Sequence, residues 1–164
     1  MSRIGERLFG PRVRFCKVIA GEGDFGCDYI INVPVLKAPD GWSGVSIAMK
    51  NHFGSIASPA QLHSTIHDSI AALNSHDFIR EKTRLIVVDG IFTSWKWVNG
   101  RDQKYVKKTN MLLMSFDPVA LDYIGWKFIE KIRNNQNLQA LDPQPLFLEL
   151  QLKNTIWEIT ILRK

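Results

Sequence analysis

The stretch Asp28–Gly54 constrains the fold more than any other part of this 164-residue chain. It begins with Tyr29–Leu36, an apolar run rich in isoleucine and valine that is typical of a buried parallel strand. Pro34 lies inside this run and predicts either an edge position in the sheet or a break in the strand's hydrogen bonding. Lys37 follows directly, and a glycine-containing loop then leads into a short helix. This order of strand, loop and helix is typical of an α/β domain.

Other apolar runs predict further strands, separated by helical segments. Arg84–Phe92 has the composition of a second buried strand, which the turn residues Asp89 and Gly90 are expected to stop. Thr109–Phe116 predicts a third apolar strand. Two more strands are predicted, over Arg12–Ala20 and Thr155–Leu162.

Two helix starts carry the same local signal. Ser58 and Asp117 are capping residues, and each is followed by a proline, which favours the first helical position. Gln61 is expected to complete a capping box with Ser58. The side chains predicted to be buried at helical spacing are Leu62, Ile66, Ile70 and Leu73 on the first helix and Leu121, Ile124, Phe128 and Ile132 on the second. We therefore predict one α/β domain over residues 1–164, with a mostly parallel sheet flanked by helices.

Composition and charge argue against several classes of protein. The net charge is +5, but the cations are spread along the chain and no nucleic-acid recognition motif is present, so a nucleic-acid partner is not expected. No apolar run reaches the roughly 18–20 residues that span a bilayer, and the N-terminus lacks the apolar core of a secretory signal. We therefore expect a cytoplasmic protein without a membrane partner. Cys16 and Cys27 are too few to hold an iron–sulfur cluster within this chain, because such a cluster takes about four ligands.

The loop and helix after the first strand carry the residues of a candidate anion site. Lys37 would point into a cleft at the strand's carboxyl end, Gly44 permits close backbone approach, and Ser46 can donate a hydroxyl hydrogen bond. Lys50 and Asn51 lie one turn further on, and the helix start would add free backbone N–H groups. Neither a P-loop nor a dinucleotide-binding glycine motif is present. The alternative is a glycine-rich turn with solvated lysines.

Three carboxylates are further candidates for ligand binding. Asp89, at the expected end of its strand, could bind a divalent ion or act as a base; the alternative is a turn aspartate that bonds its own backbone. Asp117 is explained as a helix cap and Asp122 by the dipole of the same helix. If the strand before them is central, the pair also lies at the ligand edge of the sheet.

His63 and His67 are weaker candidates for metal binding, together with Asp89. Their spacing of four residues would place both rings on one face of a helix, where they could supply two metal ligands. The alternative is a pair of solvated or core-edge histidines. No arrangement of residues specifies a reaction, so the sequence does not decide whether this is an enzyme.

Three segments together resemble the domain-of-unknown-function family 362. They are INVPVLK followed by GVSIAMKNHFG (Ile31–Gly54), RLIVVDGI (Arg84–Ile91) and LLMSFDPVALDYIG (Leu112–Gly125), and the family-like core extends over about residues 28–130. The positions that match the family's characteristic residues are Lys37, Gly44, Lys50, Asn51, Gly54, Asp89, Gly90, Asp117, Pro118 and Asp122.

The resemblance implies a context more than an activity. Members are often fused to four-cysteine ferredoxin-like modules, which implies redox or anaerobic metabolism. Few residues precede the first motif here, so the chain resembles the C-terminal part of the family domain or a short member. The Gly-Pro step that usually follows the VDG motif is replaced by the tryptophan-containing segment Ser94–Lys108.

Two functions follow as hypotheses. The first is binding of an anionic small molecule, or a metal–anion pair, at the carboxyl ends of the strands. The alternative is a non-catalytic module that docks on an iron–sulfur or redox protein through a basic surface and exposed Trp95 and Trp97. Convergence of Lys37, Lys50 and Asp89 on one pocket would favour the first function. A homodimer is also expected, because a second copy could cover an open edge of the sheet.

Overall fold

The structure, a computed structural model, describes residues 27–39, 42–96 and 103–154. Its strands are β1 (Ile30–Asn32), β2 (Val35–Lys37), β3 (Thr83–Ser94) and β4 (Val106–Ser115). Its α-helices are α1 (Ala48–Asn51), α2 (Ile66–Asn74), α3 (Asp77–Arg80), α4 (Pro118–Asn134) and α5 (Phe147–Asn154), and 3₁₀ helices cover His52–Ser55, Pro59–Thr65 and Gln103–Tyr105. The strands predicted over Arg12–Ala20 and Thr155–Leu162 lie outside the described residues.

The sheet is mostly parallel, as the sequence predicts, and β3 is its central strand. β1 and β2 both pair with it in parallel on one side, and β4 pairs with it on the other. Pro34 separates β1 from β2, which confirms the expected break. The Asp89 N–H donates to the Pro34 carbonyl at 2.8 Å, so the two short strands act as one interrupted edge strand. Together with its helices, this sheet makes a single α/β domain.

β3 does not stop at Asp89 and Gly90, contrary to the sequence prediction. It continues to Ser94, and the register with β4 shifts between Gly90 and Phe92. A Cβ at Gly90 would lie 3.1 Å from the Met111 carbonyl oxygen. The glycine therefore permits close approach of β4 and marks an irregularity in the ladder, where the sequence suggested a strand end.

β4 runs antiparallel to β3, which the sequence did not indicate. Ser115 pairs with Ile86 near the start of β3, whereas Val106 pairs with Ser94 at its end. The two strands follow each other in the chain and pair directly, an arrangement that antiparallel strands allow and that parallel strands achieve only through a long crossover. The segment after Ser115 therefore emerges at the amino end of β3, opposite to the end where Lys37 pairs with Ser94.

The two predicted helix starts behave differently. Asp117 Oδ1 accepts hydrogen bonds from the N–H groups of Val119 (2.8 Å) and Ala120 (3.0 Å), which confirms the cap of α4. Pro59 does take a first helical position, but the Ser58 side chain makes no capping hydrogen bond, so the predicted capping box does not form. The chain winds as a 3₁₀ helix before α2 begins. The predicted apolar stripe Leu62, Ile66, Ile70 and Leu73 is buried throughout.

The buried face of α4 is rotated from its predicted position. Ile124 is 53% exposed and Phe128 is only partly buried, while Gly125 and Ile129 face the core with Leu121. Gly125 contributes no apolar side chain to the pattern, so hydrophobic periodicity gave it no weight. Its lack of a side chain lets α4 approach Ile47 and Leu36, and a Cβ there would lie 2.9 Å from Leu36 Cδ1.

The core lies between one face of the sheet and the helices. Leu36, Ile86 and Val88 from the strands pack with Ile70 and Ile129 from α2 and α4. Among the described residues, no helix has both the length and the apolar character needed to cross a membrane.

We predict that Gly125→Ala lowers the free energy of unfolding by about 1–3 kcal/mol, because the new methyl group overpacks the contact with Ile47 and Leu36. A loss of stability would be informative, because replacing glycine by alanine inside a helix ordinarily stabilises a protein by about 1 kcal/mol. Urea unfolding measures the difference. Ile47→Val removes the Cδ1 methyl group that the alanine would meet, so the double variant should recover part of the loss. A Gly125→Ala protein as stable as the wild type would contradict this packing.

Candidate anion-binding site

Four of the predicted ligand residues line one cleft of about 730 Å³. Lys37 is the last residue of β2, Ser46 ends the loop that follows, and Lys50 and Asn51 belong to α1. Lys37 pairs with Ser94, the last residue of β3. The cleft therefore lies at the carboxyl ends of two parallel strands, where ligands bind in open α/β sheets.

Backbone hydrogen bonds hold the two ends of the loop together. The Ser46 N–H donates to the Lys37 carbonyl at 2.8 Å in an isolated antiparallel bridge. The next residue, Ala38, donates its N–H to the Ser94 carbonyl at 2.9 Å. These contacts fix Ser46 beside Lys37, so a hydroxyl group and a lysine open into the cleft from adjacent backbone positions.

The two lysines are close enough to influence each other. Burial, and then the charge of Lys37, lowers the pKa of Lys50 from 10.5 to about 8. In the part of the chain that the structure describes, neither lysine forms an ion pair, and no Asp or Glu is among the described residues lining the cleft. Among the described lining residues, the positive charge of the cleft is therefore uncompensated, and an anion would neutralise it.

Asp122 occupies the N-terminus of α1. Its Oδ1 accepts from the Ala48 N–H at 2.6 Å and its Oδ2 from the Met49 N–H at 3.1 Å. The carboxylate is fully buried, and burial raises its pKa to about 7, against the opposing effect of these two hydrogen bonds. The expected backbone cradle is therefore filled by a side chain of the protein. Asp122 caps α1, which is distant from it in sequence, and does not line the cleft.

A polar network fixes the other side of α1. Asn32 Nδ2 donates to the Ala48 carbonyl (2.8 Å), and Asn32 Oδ1 accepts from Asn51 Nδ2 (2.7 Å). Asn32 Nδ2 also lies 3.2 Å from His52 Nε2. Because the amide nitrogen is a donor, Nε2 must accept, which leaves Nδ1–H to donate to Ser55 Oγ at 3.1 Å. Burial lowers the pKa of His52 to about 4, consistent with this neutral ring.

Gly44 lies outside the cleft lining and supports the loop. Its φ is +75°, and a Cβ would lie 2.7 Å from the Pro143 carbonyl oxygen. Glycine is required there because the backbone is left-handed and the segment before α5 packs directly against it. The residue predicted for ligand contact thus shapes the loop that presents Ser46.

Asp89 and Asp117 also lie away from the cleft. Asp89 is on the middle of β3 opposite Val35, and its Oδ1 accepts from the Ile91 N–H at 2.9 Å, which matches the alternative of a self-bonded aspartate. Asp117 lines a second cleft of about 210 Å³ with His52 and Arg80. The expectation that both carboxylates share the edge with Lys37 is wrong, because β3 continues past Asp89 and β4 is antiparallel.

His63 and His67 are placed in different environments. His63 lines the cleft, donates from Nδ1 to the Pro59 carbonyl at 3.0 Å, and belongs to a 3₁₀ helix. His67 lies in α2 and stacks on Phe147 with ring centroids 6.2 Å apart; burial lowers its pKa. The described residues contain no group of three or more His, Cys, Asp or Glu side chains able to hold a metal ion.

The cleft also has an aromatic wall that the sequence analysis missed. Trp42 and Phe53 each meet His63 edge to face, with centroid distances of 5.3 Å. The sequence signal for Trp42 was its place in the glycine-containing loop. Asn32 was also missed, and its signal was a lone amide inside an apolar strand.

Of the two tryptophans proposed for docking, Trp95 is buried and so does not offer the expected exposed ring. Trp95 is only 8% exposed, and Trp97 lies outside the described residues. Exposed apolar side chains lie instead on the outer face of the sheet. They include Ile31, Val33, Val35, Leu112, Met114 and Phe116.

Fold and site together define an α/β domain with a lysine-lined cleft at the carboxyl ends of parallel strands. The family described as Domain of unknown function (DUF362) matches residues 13–127. The chain therefore belongs to this family. The match begins before the family-like core expected from the motifs. No curated protein and no solved structure matches the chain.

We predict that Asp122→Asn destabilises the protein by about 1–3 kcal/mol at pH 4, where the wild-type carboxyl stabilises the fold most, because the amide nitrogen cannot accept from the second α1 N–H group. The free energy of unfolding of the variant should also vary less with pH than that of the wild type. The raised pKa of Asp122 means that its stabilising contribution is complete below about pH 4 and is lost as the pH rises through about 7. Denaturant unfolding between pH 4 and 8 measures both effects.

The matched control is Glu149→Gln, which neutralises an exposed carboxylate on α5. It should leave the pH profile unchanged. An Asp122→Asn protein with wild-type stability and the wild-type profile would show that this carboxylate does not hold α1.

Proposed function

We propose that this chain binds an anionic small molecule in the cleft formed by Lys37, Ser46, Lys50 and Asn51. The observation that carries the proposal is the convergence of two lysines without an acidic partner among the described lining residues. Because one of these lysines is substantially desolvated, its charge is costly in the free protein. An anion that contacts both lysines would relieve the cost and form charge-assisted hydrogen bonds.

Side chains, not backbone amides, would bind the anion. Asp122 already bonds the first N–H groups of α1, and Asn51 is oriented by its hydrogen bond to Asn32. The recognition groups are therefore the two ammonium groups, the Ser46 hydroxyl and the second N–H of Asn51 Nδ2. Since no metal-binding cluster is found in the described residues, the proposal names the anion and not a metal–anion pair.

A thermal-shift screen of inorganic phosphate, sulfate, organic acids and nucleotides tests this function. At about 100 times its Kd, a specific anion stabilises the folded protein by about 2.7 kcal/mol, which raises Tm by about 5–10 °C for a domain of this size. Lys50→Met keeps the apolar stem and removes the charge, so it should abolish the shift. Lys131→Met, at an exposed position of α4, should retain it. A shift that survives Lys50→Met would overturn the proposal.

The pKa of Lys50 predicts how anion binding depends on pH. Because its pKa is about 8, Lys50 is largely charged at pH 7 and largely neutral at pH 9. We expect the affinity for sulfate, whose own charge is constant over this range, to fall about tenfold between these values. Calorimetric titration measures the change. Lys50→Met should show weak binding with a flat profile, and a flat wild-type profile would contradict the role of this lysine.

A further inference from the structure

We infer that the anion bound in this cleft carries a flat aromatic or heteroaromatic ring, which packs on the wall formed by Trp42, Phe53 and His63. The inference rests on the proposed function and adds the chemical class of the ligand. Phosphorylated or carboxylated aromatic compounds, nucleotides among them, belong to this class.

The cleft has two chemically distinct parts. Lys37, Ser46 and Lys50 supply the polar part, and the aromatic wall adjoins it with Pro39 and Pro59 among its other lining residues. A volume of about 730 Å³ is typical of sites for whole small molecules. An inorganic ion would occupy the lysines and leave the apolar part filled with water. A ligand with both a charged group and an apolar ring matches both parts.

Trp42 is the central group of the aromatic wall. Its side chain is 49% exposed, although its chain neighbours Ser43, Gly44 and Val45 are buried. An indole ring left half in water at the mouth of a cleft offers apolar area that a bound ring would cover. Aromatic rings also bind flat π systems by offset or edge-to-face contact, independently of the polar groups the ligand carries.

The wall is also held in place before any ligand binds. The His63 ring contacts both Trp42 and Phe53, at 88° to each ring. His63 is fixed by its Nδ1–H bond to the Pro59 carbonyl, and Phe53 is only 6% exposed. A ligand ring therefore meets a surface whose main side chains are already ordered, which lowers the entropic cost of binding.

The test compares two probes of the same charge that differ in the ring, phenyl phosphate and methyl phosphate. Calorimetric titration should show phenyl phosphate binding about tenfold more tightly to the wild-type protein, the order of magnitude that one stacked ring contributes. Trp42→Leu keeps apolar bulk and removes the ring, so this preference should fall to within twofold while the affinity for methyl phosphate is unchanged. Trp42→Phe should keep most of the preference.

Tyr123→Leu is the matched control, because Tyr123 is an aromatic residue of similar exposure, 48%, on α4 and outside the cleft. It should leave both affinities unchanged. Thermal unfolding without ligand checks that each variant folds.

The outcomes separate the two proposals. Equal binding of the two probes to the wild-type protein, with loss of both in Lys50→Met, would overturn the ring site and leave the anion site standing. A preference for phenyl phosphate that persists in Trp42→Leu would also overturn the ring site. Binding of both probes that is unaffected by Lys50→Met would overturn the anion site itself.

Discussion

The buried carboxylate of Asp122 is the contact on which the arrangement of this domain depends. It joins α4 to the first two N–H groups of α1, across more than seventy residues of sequence. One turn further along α4, Gly125 allows the helix to lie against Ile47 and Leu36. These contacts position α1, and α1 carries Lys50 and Asn51. α4 lines no part of the described cleft wall. Through these contacts it nevertheless determines where Lys50 and Asn51 lie.

The same contact decides what kind of anion site this is. A helix N-terminus is a common anion-binding feature because of its free N–H groups, but here an internal carboxylate uses them. Among the described lining residues, the positive charge lies on the two lysine side chains, and burial desolvates Lys50. Asn32 and Asn51 then fix α1 from the sheet side. α1 is thus held on one side by Asp122 and on the other by Asn32. Because α1 carries Lys50, whose pKa is about 8, the charge of the cleft depends on pH.

The direction of β4 separates residues that looked like one site. Had β4 been parallel to β3, Asp117 would have emerged beside Lys37. The antiparallel pairing places Asp117 at the other end of the sheet, where it caps α4 and lines a different cleft. The outer face of the same sheet leaves Ile31, Leu112 and Met114 exposed. Apolar patches of this kind commonly mark contact surfaces.

The sequence by itself determined the elements whose causes are local. Propensity, periodicity and turn chemistry were enough to predict four features that the structure contains. They are the strand interrupted at Pro34, the helix cap at Asp117, the apolar stripe of α2, and the lysines after the first strand. The family assignment also followed from the order of the motifs. Only the tertiary structure decided the direction of β4, the contact between Asp122 and α1, and the packing role of Gly44 and Gly125. These depend on contacts between residues far apart in the chain, and neither a missing side chain nor a strand's direction leaves a periodic signal in the sequence.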